Sequence, residues 1–190
     1  MHDDIERVLF DESRIRAGIE RVAREIAARF AGRELTVVAV LKGSCIFVAD
    51  LIRRLPLSIE LAFVWAESYR RGTSGGRLEL LATPTDDELR GRSVLLVDDI
   101  LDSGRTLSAV RDTLVARGAS EVATCVFLDK PARREVALSP DFVCFEVEDL
   151  FVVGYGLDFA GRYRNLPYVA ALKPTALASG PVGPAREGHP

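Results

Sequence analysis

The sequence contains only two histidines and three cysteines, which narrows the chemistry that it could perform. Both histidines, His2 and His189, lie at the ends of the chain. A histidine general base is therefore almost excluded, and a proton acceptor is expected to be a carboxylate, a lysine or a tyrosine. Cys45, Cys125 and Cys144 stand inside apolar runs. Their odd number, without paired spacing, argues against a disulfide framework and for a reducing compartment.

The sequence also lacks a strong net charge and any long apolar run. Its 25 Lys and Arg residues against 28 Asp and Glu residues leave a net charge of −3, so no basic field attracts a polyanion. The start, MHDDIERVLFDE, has no apolar core, and no apolar run approaches the roughly 20 residues that span a bilayer. We therefore expect a cytoplasmic protein of one main domain, with neither nucleic acid nor membrane as a partner.

Apolar residues recur with two periods along the first two thirds of the chain. Helical spacing predicts helices, and short continuous apolar runs predict strands buried on both faces of a parallel sheet. The predicted helices cover 13–30, 45–55 and 107–118, and the predicted strands cover 35–41, 59–66, 94–97 and 121–128. Their alternation predicts an α/β fold, with a central parallel sheet and helices on both faces.

Three further stretches follow different patterns. The polar, glycine-rich residues 67–77 predict a mobile loop. From residue 131 onward, proline and glycine interrupt short apolar runs, which predicts a small irregular lobe. Residues 173–190 are rich in proline and glycine and are expected to form a disordered tail.

The segment VLLVDDILDSGRTL, residues 94–107, is the most informative in the sequence. Asp98 and Asp99 follow a strand that is expected to end at Val97, and ligands of open α/β sheets bind at the carboxyl ends of strands. Two adjacent carboxylates repel each other. They therefore need a compensating partner, such as Mg²⁺ or donor hydroxyls.

The residues that follow this acidic pair predict a phosphate cradle. Gly104 permits a tight turn, and the amides of residues 103–106 would point outward at the positive end of a helix. Ser103 and Thr106 add hydroxyl donors. Read alone, the Asp-Ser-Gly sequence is more often a simple helix cap.

The full string resembles the phosphoribosyl-pyrophosphate signature of the type I phosphoribosyltransferases, and it departs from the P-loop pattern. The resemblance implies that Asp98 and Asp99 hold the ribose hydroxyls, directly or through a metal. It implies that Ser103, Gly104, Arg105 and Thr106 hold the 5′-phosphate. Asp102 would then be the proton acceptor near the purine.

Other segments match the same family at the reacting end of the substrate. Lys42 and Gly43 resemble its pyrophosphate loop, where the backbone is often strained by a cis peptide, although alone they would be an ordinary strand–helix turn. Arg164 matches an arginine that helps to hold pyrophosphate. Ser68 and Tyr69 match the start of a loop that closes over the site and excludes water.

The purine site is implied by resemblance alone. Lys130 would donate to the 6-oxo group of the base, although an exposed lysine is ordinarily just a solvated charge. Phe151 would stack on the purine, and backbone around Val152 would meet the base edge. Asp158 would lie near the metal and the purine 2-position, which gives Asp98, Asp99 and Asp158 as the metal-site residues.

These matches imply a type I phosphoribosyltransferase fold over residues 1–172, with a small hood lobe from about 1–12 and 131–172. The implied reaction is Mg²⁺-dependent transfer of phosphoribosyl from phosphoribosyl pyrophosphate to hypoxanthine or guanine, by a homodimer or homotetramer. Two alternatives remain at this point. One is a preference for xanthine, and the other is a non-catalytic RNA-binding regulator on the same fold.

Overall fold

The computed structural model describes residues 2–69 and 77–178. In chain order its strands and helices are β1 Ile5–Phe10, α1 Glu12–Arg29, β2 Leu35–Leu41, α2 Cys45–Ile52, β3 Ile59–Tyr69, β4 Arg77–Ala82, α3 Asp86–Leu89, β5 Ser93–Leu101, α4 Arg105–Ala116, β6 Glu121–Asp129, β7 Phe142–Glu146, β8 Val152–Val153, β9 Val169–Leu172 and α5 Pro174–Ala178. Short 3₁₀ turns cover His2–Asp4 and Pro131–Arg133.

The larger sheet has six strands in the order β4-β3-β2-β5-β6-β7. All neighbours are parallel except β3 and β4, which are antiparallel. The central strands β2 and β5 are buried along nearly their whole length, because helices cover both faces. The predicted α/β class with a central parallel sheet is confirmed.

The two faces of this sheet carry separate apolar cores. On one face α1 and α2 pack through residues such as Ile19, Ile26 and Phe47. On the other, α3 and α4 pack through Leu89, Leu107 and Val110. Helix α1 begins where its apolar stripe predicts, and the Asp11 carboxylate caps it by accepting from the Arg14 amide at 2.8 Å.

A second sheet of three antiparallel strands, in the order β1-β9-β8, forms the hood. Ile5 pairs with Leu172, so two distant parts of the chain meet there. The prediction that the whole of 131–172 belongs to this lobe is wrong, because β7 joins the main sheet parallel to β6. Successive side chains of β7 point to opposite faces of the sheet, and those of Phe142 and Cys144 are buried.

Two predicted irregular segments are partly regular. The stretch predicted as a loop, 67–77, contains the end of β3, where Ser68 pairs with Leu78 and Tyr69 with Arg77. The remainder of that loop, 70–76, lies outside the described residues. The tail predicted as disordered begins with α5 at Pro174, and 179–190 also lie outside the described residues. Within the described part of the chain, no helix is long and apolar enough to cross a membrane.

Candidate active site

The candidate site lies where β2 and β5 part at the carboxyl end of the sheet. The two strands pair from Leu35 opposite Ser93 to Ala39 opposite Val97, and no pair is formed beyond that point. The helices that follow them, α2 and α4, cover opposite faces of the sheet. Such a topological switch point opens the crevice in which α/β proteins bind ligands. A cavity of about 260 Å³ occupies it, and its lining includes Gly43 and most of the segment 98–107.

The prediction that the strand ends at Val97 is wrong, because β5 continues to Leu101. Its pairing with β6 persists after β2 has left, and Ile100 lies opposite Leu128. Asp98 and Asp99 accordingly project from the strand rather than from a loop. The Asp98 carboxylate accepts from the Asp99 amide, and the Asp99 carboxylate accepts from the Ile100 amide, both at 2.9 Å.

Electrostatics make this acidic pair a site for positive charge. Burial and the neighbouring charge of Asp99 raise the pKa of Asp98 well above its ordinary value. Burial likewise raises the pKa of Asp99, although hydrogen bonds and the more distant Arg164 oppose that shift. A cation or hydrogen-bond donors placed there would relieve the repulsion, so the donor set fits Mg²⁺, which prefers carboxylate oxygen.

The turn after β5 has the form of a phosphate cradle. Gly104 has φ 84°, and a Cβ there would lie 2.7 Å from Val136, so only glycine fits. Helix α4 starts at Arg105, and its first amides have no partner within the helix. Ser103, Gly104 and Thr106 line the cavity. The Arg105 guanidinium lies 2.6 Å from the Glu135 carboxylate, and its backbone amide donates to the Ser103 hydroxyl at 3.4 Å.

Arg134 supports this turn and was not found by sequence reasoning. Its guanidinium donates to the backbone oxygens of Leu101 at 3.0 Å and Asp102 at 2.7 Å, and it also bonds the Asp129 carboxylate. Its side chain is only 15% exposed. Nothing in the sequence pattern marks it, because its partners are mostly backbone oxygens some thirty residues away.

Asp102 lies at the floor of the same cavity. Its Oδ1 is buried and accepts no hydrogen bond, even though Arg133 Nε lies 3.0 Å away at ion-pair distance. We attribute the difference to direction, since a hydrogen bond needs an aligned N–H as well as a short distance. The Asp102 side chain as a whole is 43% exposed.

The predicted pyrophosphate turn closes the opposite side of the crevice. The Leu41–Lys42 peptide bond is cis. A Cβ on Gly43 would lie 1.6 Å from Asp99 Oδ2, so the absent side chain is what lets this turn touch the acidic pair. Lys42 is exposed, with Nζ 5.0 Å from the centre of the Trp65 ring. The buried Ser44 hydroxyl donates to the Val40 oxygen at 2.5 Å and fixes the start of α2.

Lys130 and Phe151, the residues predicted to bind the base, differ in burial. Lys130 is only 6% exposed, donates to the Leu150 oxygen, and has a lowered pKa because burial disfavours its charge. The charge of Asp102 opposes this shift. Phe151 is 43% exposed, and its ring meets Phe159 edge-to-face at 5.2 Å. Val152 lies buried in β8.

Asp158 and Arg164 pair with each other at 2.6 Å. Arg164 also donates to the Gly156 oxygen at 2.5 Å, and Asp158 accepts from the Gly161 amide at 2.7 Å. The described residues contain no group of three or more acidic, histidine or cysteine side chains that could together hold a metal. The structure therefore does not bring Asp158 into one ligand cluster with Asp98 and Asp99, and substrate or solvent oxygens would have to complete a metal's coordination.

Comparison with known proteins agrees with this geometry. A family model described as the phosphoribosyl transferase domain matches residues 8–160. The hypoxanthine phosphoribosyltransferase of Escherichia coli K12 is 44% identical over 167 residues, which cover 87% of this chain and 94% of that protein. The bifunctional protein TilS/HprT of Listeria innocua is 45% identical over 92% of this chain, but the chain spans only 27% of its length.

Solved structures give the same result. The hypoxanthine phosphoribosyltransferase of Staphylococcus aureus superposes with a TM-score of 0.86 at 33% identity, covering 92% of this chain and 95% of that one. A hypoxanthine-guanine phosphoribosyltransferase of Bacillus anthracis superposes with a TM-score of 0.82 at 37% identity, covering 89% and 98%. With its sheet, its crevice and its relatives in agreement, the chain belongs to the phosphoribosyltransferase family.

Proposed function

We propose that this protein is a purine-salvage enzyme that transfers 5-phosphoribosyl from phosphoribosyl pyrophosphate to hypoxanthine or guanine. The observation that carries the proposal is the meeting of the acidic pair, the turn of residues 102–106 and Gly43 at one crevice. The similar proteins from Escherichia coli and Bacillus anthracis are a hypoxanthine and a hypoxanthine-guanine phosphoribosyltransferase, which supports the same substrates.

The proposed roles divide along the crevice. The amides and hydroxyls of residues 103–106 bind the 5′-phosphate, and Asp98 and Asp99 orient the ribose hydroxyls. Lys42, Gly43 and Arg164 bind the pyrophosphate end. Lys130 donates to the 6-oxo group, Phe151 stacks on the ring, and Val152 and Asp158 meet the far edge of the base.

In the proposed reaction the bond between ribose C1′ and the pyrophosphate oxygen breaks, and its electron pair leaves with pyrophosphate. A bond forms between C1′ and purine N9, and the ring proton of the purine passes to the Asp102 carboxylate. Ser68 and Tyr69 begin the segment that we propose covers the site, because water would otherwise capture the ribosyl cation.

We propose Mg²⁺ as the cofactor, with Asp98 and Asp99 as its protein contacts and Asp158 nearby. The raised pKa values of the pair support this, since cation binding favours the ionised carboxylates. When bound, the ion would neutralise the charge of the leaving pyrophosphate.

We also propose that the protein acts in the cytoplasm as a homodimer or homotetramer. The three cysteines are free, which suits a reducing compartment. Leu61, Phe63 and Trp65 alternate along one face of β3 and are each about 40% exposed, an apolar face that a second copy could cover.

The test is pyrophosphate release with hypoxanthine, guanine, xanthine and adenine, each with phosphoribosyl pyrophosphate and Mg²⁺. Turnover with the first two and rejection of adenine supports the proposal. A preference for xanthine would change the assigned substrate. If none of the four bases supported pyrophosphate release, the proposed activity would be refuted. An RNA-binding titration at stated salt, run beside it, tests the regulator alternative.

A further inference from the structure

Residues 154–158 of the hood approach the proposed pyrophosphate turn. Gly156 has φ 98°, and a Cβ there would lie 2.2 Å from the Gly43 oxygen. Gly43 in turn packs against the Asp99 carboxylate. The turn is therefore held between the hood loop on one side and the acidic pair on the other.

Tyr155 ties this loop to the helix that begins at the turn. Its hydroxyl donates to Asp50 Oδ2 at 2.5 Å, and Asp50 lies on α2, which starts two residues after Gly43. The Tyr155 ring is buried, and its centre lies 4.9 Å from that of Phe127. The phenol thus joins the elements that carry Gly156 and Gly43.

The surroundings of Asp50 make this link separable from the rest of the fold. The Asp50 carboxylate also bonds Arg53, and Arg54 donates to the Asp50 backbone oxygen at 2.7 Å. Loss of the phenol hydroxyl would leave Asp50 paired rather than as an orphaned charge. Burial and the Asp50 hydrogen bond raise the pKa of Tyr155, so it remains a donor at physiological pH.

We propose that Tyr155 and Asp50 are positioning residues for the pyrophosphate end of the site. Neither touches substrate. Their hydrogen bond holds Gly156 over Gly43, and thereby holds the Lys42–Gly43 turn and the Arg164–Asp158 pair in register with the acidic pair. The inference rests on the proposed function only in taking phosphoribosyl pyrophosphate as the ligand.

The test is Tyr155→Phe, which keeps the ring and removes the link. A smaller fraction of the molecules then holds the turn in place, so the KM for phosphoribosyl pyrophosphate should rise about three- to tenfold, the effect of losing one hydrogen bond of ordinary net strength. The Kd for pyrophosphate, measured by calorimetry with Mg²⁺, should rise equally. The KM for hypoxanthine and kcat at saturation should change less than about twofold.

Variants at Asp50 test the other partner. Asp50→Asn retains an acceptor and should keep a KM near that of the native protein. Asp50→Ala should match Tyr155→Phe, and the double variant should be no worse than either single one, because both break the same bond. Additive effects would mean that the two residues act separately, which would overturn the proposal.

Tyr163 offers a matched control. It also has a positive φ, lies in the hood, and donates through its hydroxyl to a carboxylate, Asp4, at 2.7 Å. Tyr163→Phe should lower the thermal midpoint without altering the KM for phosphoribosyl pyrophosphate. The proposal is overturned if both tyrosine variants shift that KM alike, or if Tyr155→Phe changes both substrates equally or neither. Failure of the native protein to use any 6-oxopurine would refute the proposed function instead, and pyrophosphate calorimetry would still decide this inference.

Discussion

The two halves of the crevice are built in different ways. The half that we propose binds phosphoribosyl consists of Asp98–Thr106 with Lys42 and Gly43, at the carboxyl ends of two adjacent strands of the main sheet. The half that we propose binds the purine consists of Lys130, directly after β6, and the hood residues Phe151–Asp158. One half is mostly a run of consecutive residues, and the other is assembled from separate parts of the chain.

The two halves differ in what fixes the positions of their side chains. The phosphoribosyl half is fixed by local backbone geometry: a buried strand, a left-handed glycine and a helix start. The purine half depends on how the hood sits against the sheet, through contacts such as that of Tyr155 with Asp50. Substitutions in the first half should therefore cause a large loss of affinity for one substrate. Substitutions in the second half should cause smaller, graded losses.

Asp102 lies between the two proposed halves, and Asp102→Asn should cause the largest loss of activity. The amide keeps the shape of the carboxylate but cannot accept the purine proton. We expect kcat to fall by about 10²–10⁴, with little change in either KM. Steady-state kinetics with hypoxanthine measures it. Near-native turnover would leave Asp102 with no role beyond the turn.

Asp149 provides the control for that variant. Arg133 contacts Asp149 at 3.3 Å as well as Asp102 at 3.0 Å, so Asp149→Asn also removes a carboxylate from the neighbourhood of Arg133. Its side chain is not among those lining the crevice. A comparable loss of turnover in Asp149→Asn would assign the effect to Arg133 rather than to proton transfer.

Asp98→Asn should affect the phosphoribosyl half alone. Loss of one charged ligand should raise the KM for phosphoribosyl pyrophosphate by about 10–100-fold. The Kd for free hypoxanthine, measured by calorimetry, should stay unchanged. Equal weakening of both ligands would show that the two halves are not independent and that the sheet itself had been disturbed.

The same variant should stabilise the ligand-free protein. The pKa of Asp98 is raised on folding, so the folded state is favoured below the ordinary aspartate pKa and loses stability as pH rises through the raised value. At pH 7 we expect Asp98→Asn to melt a few degrees higher than the native protein, since about 1 kcal/mol corresponds to about 2–4 °C in a domain of this size. The difference in melting temperature should disappear as pH falls below about 4. A difference that grew in acid would show that the Asp98 carboxylate stabilises the fold when it is charged.

Lys130→Gln should have the smallest and most selective effect. With adenine, the lysine ammonium faces an amino group that is also a donor, whereas glutamine can accept as well as donate. We expect the ratio of kcat/KM for hypoxanthine to that for adenine to fall by about tenfold, which corresponds to about 1.4 kcal/mol.

Phe151→Leu is the contrasting variant. It should weaken every purine by a similar factor and preserve their order. If Phe151→Leu reordered the bases and Lys130→Gln did not, the assigned purine pocket would be wrong.

The comparison of the two halves also explains what could be predicted from the sequence. Buried strands such as Leu35–Leu41 and the segment Asp98–Thr106 are encoded by neighbouring residues, so local patterns reveal them. The Ile5–Leu172 pairing joins residues at opposite ends of the described chain, and no local pattern specifies such a partner. The same holds for Arg134, which holds two backbone oxygens. The apolar run of β7 was assigned to the irregular lobe because it is short, follows Pro140 and Asp141, and leads into acidic residues.

The departure of β2 from β5 after Val97 gives a central strand the properties of an edge. Over Asp98–Leu101 one side of β5 has no neighbouring strand, and unpaired strand edges are where foreign chains add and aggregation begins. The acidic pair protects this gap, because its carboxylates occupy the Asp99 and Ile100 amides and their charge repels an incoming strand. The two residues that we propose hold the ribose and the metal would thus also discourage a foreign strand from adding at this gap.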